Sequence, residues 1–176
     1  MGYKLRLPHT IHQLFFWVHL LSLDVALGAC LLSTGFVLMF PIEIPWHVFE
    51  LLFSSCLVVY WTDHLIDSSN DKVVAHSIRH LFFRQHFTLF FILIILLVCS
   101  NIILAFAYLH WLSILQAALF VVMIGVYLFY HRKFPKVLLF EKEVWIGFIY
   151  GFAIGLVPTI VLGMYSFLVW HQIMLF

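Results

Sequence analysis

The stretch Phe87-Thr-Leu-Phe-Phe-Ile-Leu-Ile-Ile-Leu-Leu-Val-Cys-Ser-Asn-Ile-Ile-Leu-Ala-Phe-Ala107 contains no charged residue and consists mostly of large aliphatic and aromatic side chains. A helix needs about 20 apolar residues to cross the hydrocarbon core of a bilayer. This stretch is long enough to cross, and it lacks small residues over most of its length. We therefore predict a membrane-spanning helix that is strongly exposed to lipid.

The rest of the chain has a similar composition. Of its 176 residues, 65% are hydrophobic, 10% are charged and 20 are Phe, and the mean hydropathy is +1.10. A soluble domain of this length could not bury so much apolar surface. Charge-poor runs at about 14–40, 46–62, 86–109, 112–130 and 144–170 predict five spans. We expect an all-α polytopic membrane protein in which residues 1–176 form a single helical domain.

The basic residues indicate the orientation of these spans. The N-terminus and the loops at 63–85 and 131–143 would lie on one side of the membrane, and together they carry all nine Lys and Arg residues. The connections around 41–45 and 110–111 and the C-terminus carry none. Positively charged loops favour the cytoplasmic side. The pattern predicts a cytoplasmic N-terminus and cytoplasmic polar loops, with an external C-terminus. We expect the protein to reside in a bacterial inner membrane.

Several other classes of protein are excluded. The first apolar run is too long for a cleavable signal peptide and contains Asp24. Cys30, Cys56 and Cys99 lie within predicted spans without a CxxC spacing, which argues against a disulfide framework or a zinc site. A net charge of +1 without a basic face argues against nucleic acid as a partner.

The last predicted span carries a stripe of small residues, Gly147, Gly151 and Gly155, at four-residue spacing. Such a stripe allows another helix to approach closely, so it could receive a second half of the protein or a second copy. Pro158 would interrupt or kink the same span. Ordinary helix packing explains both features, and a break that lines a substrate cavity is the alternative.

The densest chemistry lies at Tyr60-Trp-Thr-Asp-His-Leu-Ile-Asp-Ser-Ser-Asn-Asp71. Asp63, Asp67 and Asp71 follow an i, i+4, i+8 spacing, which places three carboxylates on one helical face over about 12 Å. Like charges arranged in this way repel unless a cation lies among them, and Mg²⁺ prefers carboxylate and phosphate oxygens. We predict a Mg²⁺ site for a phosphorylated lipid. A solvated acidic loop is the alternative.

Basic and histidine residues on the same side could complete such a site. Lys136, in the segment Tyr130–Lys136, and Lys142 could bind phosphate oxygens, although the same residues also serve as topology anchors. His76, His80 and His86 could bind a transition metal, or they could anchor among lipid headgroups. Asp24 and Glu50 lie within or near spans, where an acid is either a functional group or a hydrogen-bonding partner of a facing helix.

The segment from Asp63 to Asp71 resembles the first aspartate motif of the UbiA superfamily of intramembrane prenyltransferases, N-D-x-x-D-x-x-x-D. Asp63 matches the motif's Asn, His64 its first Asp, and Asp67 and Asp71 its second and third Asp. The variant with Asp-His-Leu-Ile-Asp, followed by Arg79-His80-Leu-Phe, resembles an uncharacterised bacterial branch. Residues from Tyr130 to Gly147 resemble the stretch between the family's fourth and fifth helices.

The resemblance implies a site and a reaction. Mg²⁺ held by Asp67 and Asp71, assisted by Asp63, would bind an isoprenyl diphosphate, with Asp63, His64, Lys136 and Lys142 contacting the substrate. Transfer of the isoprenyl group to a hydrophobic acceptor would follow through an allylic carbocation. The chain differs from the family pattern in two ways. His64 stands where the motif has an acid, and the second aspartate motif, which the family's roughly nine-span proteins carry, is lacking. The chain resembles only the first half of that helical bundle, as a truncated or split product or as a shortened relative.

Three hypotheses therefore remain open. The chain is a prenyltransferase, or half of one. Alternatively, it is a non-catalytic membrane subunit on the same scaffold. The third hypothesis is a His-rich membrane metalloprotein, either an oxygenase or a metal transporter.

Overall fold

The chain folds as an all-α protein in the computed structural model, which describes residues 10–38, 45–69, 77–133, 144–145, 147–157 and 160. Seven helices lie within this part of the chain. They are α1 (Thr10–Leu20), α2 (Leu23–Val37), α3 (Trp46–Ser68), α4 (Ile78–Gln85), α5 (Phe87–Tyr108), α6 (Trp111–Lys133) and α7 (Gly147–Val157).

Two of the predicted spans are confirmed as single helices. The segments Phe87–Tyr108 and Trp111–Phe129 are long and apolar enough to cross a membrane. Gln13–Leu20 and Leu23–Gly35 form a third candidate if this pair, bent by 79°, is counted as one span. α3 is a helix where a span was predicted but does not reach the same apolarity. α7 is an apolar helix within the fifth predicted span, 144–170, and much of that span lies outside the described residues. Two or three apolar helices support an integral membrane protein.

The first predicted span is broken, whereas the sequence suggested one continuous helix. Leu21 and Ser22 form a turn between α1 and α2, and Ser22 has a φ of 57°, in the left-handed region that a side chain rarely adopts. The Trp61 indole donates a hydrogen bond of 2.9 Å to the Leu21 carbonyl. This bond satisfies a carbonyl that the break removes from the helical ladder and ties the turn to α3.

α3 lies at the centre of the bundle and contacts α2, α4, α5 and α6. Its apolar side chains form the main core with residues of α2, α4 and α5. The core residues include Ala26, Ala29, Leu52, Cys56, Trp61, Leu65, Phe83 and Phe90. By contrast, Phe90 is the only buried residue of α5, so most of that helix faces outward, as its sequence predicted.

α7 packs against α2 through two hydrogen bonds, one to a backbone carbonyl of each helix. The Tyr150 hydroxyl donates to the Val25 carbonyl at 3.1 Å, and the Ser33 hydroxyl donates to the Ile154 carbonyl at 3.5 Å. On Gly147, Gly151 and Gly155, an added Cβ would meet no atom within 4 Å among the described residues. The glycine stripe is therefore not part of the packing seen here. Pro158 lies outside the described residues.

Candidate functional site

The acidic motif lies on the last turns of α3. The helix continues through Asp63 and Asp67 to Ser68, and Ser69 forms its C-terminal cap. Helical continuation through the first two carboxylates is therefore confirmed, and both side chains are half-buried. Asp71 lies outside the described residues, as do Lys136 and Lys142.

A cavity of about 440 Å³ lies between α3, α5, α6 and α7. Its walls are almost entirely aliphatic and aromatic. Polar side chains are few, and Asp63, Tyr60 and Tyr127 are among them. An apolar cavity with a small number of polar groups is the usual form of a site for a hydrophobic small molecule.

Asp63 and Tyr127 line one end of this cavity, and Asp67 lies one helical turn beyond Asp63 on α3. Asp63 and Asp67 both lie close enough to the Tyr127 phenol to interact with it electrostatically. Tyr127 packs with Ile124 and Ile149, which also line the cavity. Asp63 thus lies in the cavity wall near Tyr127 of α6, and Asp67 lies near the same phenol.

A second group of polar side chains lies in the cavity wall between α3 and α5. Asn101 lines the cavity together with Ser55. The Ser54 hydroxyl lies within hydrogen-bonding distance of Asn101 Oδ1 and of the Glu50 carbonyl, and Asn101 Nδ2 lies 3.4 Å from the Ser55 hydroxyl. Polar side chains at such an interface hold neighbouring membrane helices together.

His64 does not lie with the carboxylates, although the aspartate motif groups them. Its side chain is buried, and its Nε2 lies 3.1 Å from the Ser22 hydroxyl in the turn between α1 and α2. Its ring contacts Phe83 and His80 of α4 at centroid distances of 5.0 and 5.8 Å. His64 therefore faces α1, α2 and α4, whereas Asp63 faces α6 and α7.

A second pocket lies on the side of α3 that carries His64. Its lining comes from α1, α3 and the beginning of α4. His19 and Arg79 meet there, since the Arg79 guanidinium donates a hydrogen bond of 2.8 Å to the His19 carbonyl. His19 Nδ1 lies 2.8 Å from the Asp24 carboxylate. No sequence pattern predicts this pocket, because its residues lie up to about 60 positions apart.

The described residues do not assemble a complete metal site. Among them, no three His, Cys, Asp or Glu side chains form a group that could hold a metal ion. The Asp63 and Asp67 carboxylates both lie near the Tyr127 phenol, and the third carboxylate of the predicted set, Asp71, lies outside the described part. The donors present are of the type that Mg²⁺ prefers, but they are too few by themselves.

The predicted histidine group is also incomplete here. His76 lies outside the described residues. His86 Nδ1 lies 3.0 Å from the Phe82 carbonyl, while His80 stacks edge-on against His64. Thus His80 and His86 have different neighbours, and this part of the chain offers no transition-metal centre.

No protein-family model, no curated protein and no solved structure matches this chain.

Proposed function

We propose that this protein binds an isoprenyl diphosphate in the membrane, as its resemblance to the UbiA superfamily implies. The apolar chain would occupy the cavity between α3, α5, α6 and α7. The diphosphate would lie at the cavity mouth, with Mg²⁺ held by Asp67 and Asp71 and assisted by Asp63. The observation that carries this proposal is the Asp63 carboxylate in the wall of an apolar chamber, with the Asp67 carboxylate near the Tyr127 phenol of the same wall.

The size and lining of the cavity support a hydrophobic occupant. A volume of about 440 Å³ falls within the range of roughly 300–1,000 Å³ typical of small-molecule sites. The few polar groups of the wall are concentrated near Asp63 and at Asn101. A molecule with a long apolar body and one charged end matches this arrangement. A polar metabolite would leave its hydrogen-bonding groups unpaired against the walls.

The carboxylates, the lysines and the apolar walls of the proposed site would have different roles. Asp63 and Asp67 would repel a diphosphate, because all three groups are anions, so they would bind it only through a divalent cation. Mg²⁺ held by these carboxylates would neutralise charge on the diphosphate and so make it a better leaving group. Lys136 and Lys142 would contact phosphate oxygens from the adjoining loop. The apolar walls would keep water from an allylic cation formed when the carbon–oxygen bond breaks.

The proposal includes the finer architecture predicted from the sequence. Five spans, with the polar loops in the cytoplasm of a bacterium, would place the acidic motif at the inner face of its membrane. A partner or a second copy docking on Gly147, Gly151 and Gly155 could complete the bundle. Transfer of the isoprenyl group to a membrane acceptor depends on such completion, since His64 points away from the carboxylates and supplies no ligand to a second metal.

Binding is tested with the purified chain in neutral detergent and farnesyl diphosphate as the probe. Wild-type protein should bind the probe in the presence of Mg²⁺ and lose it when EDTA is added. Asp67→Asn should weaken binding at least about tenfold, because one charged ligand of the cation is lost. Glu50→Gln is the matched control, since it removes one negative charge from the other end of α3. Equal binding by wild type and Asp67→Asn would contradict the proposal.

Turnover is a separate measurement on the same sample. The isolated chain should bind the diphosphate but not release inorganic diphosphate, because too few ligands are present to organise two metal ions. Steady release that Asp67→Asn abolishes would show that the chain is an enzyme by itself. Mg²⁺-dependent binding without release under any condition, including addition of membranes from the source cells, would indicate a non-catalytic binding subunit.

A further inference from the structure

We propose that the pocket between α1, α3 and α4 is a second site, which binds a phosphate-type oxyanion. This anion pocket is lined by Phe16, His19, Leu20, His64, Ser77, Ile78, Arg79 and His80 and has a volume of about 480 Å³. It is separate from the cavity of the proposed function, because the pocket lies between α3, α1 and α4, whereas the cavity lies between α3, α5, α6 and α7. The inference does not depend on that function.

Most of the polar side chains that line the pocket are basic. One guanidinium and three imidazoles line the pocket, and no carboxylate does among the described residues. Arg79 has a permanent positive charge, and a histidine ring can donate a hydrogen bond in either its neutral or its charged form. Asp24 contacts His19 at 2.8 Å but is not part of the lining. The interior of the pocket therefore favours an anion over a cation.

The hydrogen-bond donors of the pocket are already held close together. Arg79 is held by its hydrogen bond to the His19 carbonyl. That bond uses one of the five N–H donors of the guanidinium, and a guanidinium matches two oxygens of a phosphate group. The His64 and His80 rings approach each other edge to face at 5.8 Å. Side chains from two helices are thus already brought together around one space, which lowers the entropic cost of binding.

The beginning of α4 adds to this arrangement. Ser77, Ile78, Arg79 and His80 all line the pocket, so the first turn of the helix borders it. Ser77 forms no side-chain capping bond to that turn within the described structure. The first N–H groups of a helix carry a partial positive charge and commonly bind anions. Here they would act together with the guanidinium and the imidazoles.

The position of the anion pocket at one end of α3 suggests two sources for a bound phosphate group. The pocket lies at the end of α3 that carries the acidic motif, where the chain is predicted to leave the membrane. A lipid phosphate headgroup and a free phosphate ion would therefore both reach it. The shared ligand is a tetrahedral oxyanion, and the experiment below separates the two sources.

The test uses the full chain in neutral detergent and titration calorimetry with inorganic phosphate, sulfate and short-chain phosphatidic acid. Saturable binding of all three would identify a site for the free anion. Binding of phosphatidic acid, with short-chain phosphatidylcholine inactive, would identify a lipid headgroup site. Failure of all three probes to bind would overturn the proposal.

Two variants connect the binding to this pocket. Arg79→Gln should weaken binding of the active probe at least about tenfold, since a charge-assisted contact is lost. Arg84→Gln is the matched control, because Arg84 lies exposed on the same helix outside the pocket. If Arg79→Gln does not fold, His80→Gln should weaken binding at least about threefold. Equal affinity of the folded pocket variants and Arg84→Gln would overturn the proposal.

The measurement is independent of the isoprenyl diphosphate site. Asp67→Asn should leave sulfate or phosphatidic acid binding at the wild-type level, because Asp67 does not line the anion pocket. A loss of anion binding in Asp67→Asn equal to that in Arg79→Gln would mean that only one site exists, and would overturn the separate pocket.

Discussion

On α3, one step along the chain rotates a side chain by about 100° around the helix, and this rotation separates His64 from Asp63. Asp63 lines the apolar cavity, and His64 is buried against Ser22 and Phe83. In the aspartate motif that this segment resembles, the position of His64 holds an acid that belongs to the set of metal ligands. His64 is instead a buried, hydrogen-bonded ring.

Replacing His64 with Asp tests this assignment. The new carboxylate would be buried among Ser22, Phe83 and His80 and would not reach the cavity. We expect His64→Asp to lower stability by about 1–3 kcal/mol, as for a polar group that loses its matched partner. Mg²⁺-dependent binding of farnesyl diphosphate should not improve. Thermal unfolding in detergent and the same binding titration measure both effects.

His64→Asn is the control for this substitution. An amide can keep a hydrogen bond to the Ser22 hydroxyl without introducing a charge, so the loss of stability should be smaller. A clear gain in Mg²⁺ affinity by His64→Asp but not by His64→Asn would show that residue 64 reaches the metal site, contrary to the geometry.

At the scale of single elements, the turn between α1 and α2 combines backbone strain with two tertiary contacts. Ser22 has a positive φ, its hydroxyl contacts His64, and the neighbouring Leu21 carbonyl accepts a bond from Trp61. A non-glycine residue in the left-handed region costs about 1–2 kcal/mol. The strain persists because contacts from α3 hold the turn in place.

Two substitutions at Ser22 separate these effects. Ser22→Ala removes the hydroxyl but keeps the strain, so it should destabilise the protein by about 1 kcal/mol. Ser22→Gly removes the same hydroxyl and also relieves the strain. We therefore expect Ser22→Gly to unfold at a higher temperature than Ser22→Ala. The reverse order in thermal unfolding would argue against a left-handed turn at this position.

The contact between α2 and α7 offers a prediction with a matched pair of glycines. A Cβ on Gly28 would lie 3.0 Å from the Tyr150 hydroxyl, whereas a Cβ on Gly151 would meet nothing within 4 Å among the described residues. Gly28→Val should push Tyr150 away from the Val25 carbonyl and lower stability by about 1–3 kcal/mol. Gly151→Val should leave the stability of the monomer nearly unchanged.

Gly151→Val also reports on the glycine stripe. If a second copy or a partner docks on this stripe, the valine should weaken that association without unfolding the monomer. Chemical cross-linking in membranes, combined with thermal unfolding in detergent, distinguishes the two effects. Equal destabilisation of the monomer by Gly28→Val and Gly151→Val would contradict the α2–α7 packing described here.

At the scale of the whole molecule, periodicity and composition were sufficient for the helical class and for α5 and α6, since an uncharged run of span length has few alternatives. They were not sufficient for the break at Leu21–Ser22, which depends on Trp61 and His64 some 40 positions away. The sequence placed Asp63 and Asp67 on one helix. It could not place His64 against α4, because neighbouring helices decide which face of α3 is covered.

The span count depends on α3, which is long enough to cross the membrane but less apolar than α5 and α6. Because α3 lies at the centre of the bundle, its polar side chains can face protein rather than lipid. We therefore expect reporter fusions after residues 8, 75 and 138 to be cytoplasmic, and fusions after residues 43, 110 and 176 to be external. The fusions after 75, 110 and 138 flank α5 and α6 and serve as the internal reference. Fusions after 43 and 75 on the same side would show that α3 does not cross, and would reduce the five predicted spans.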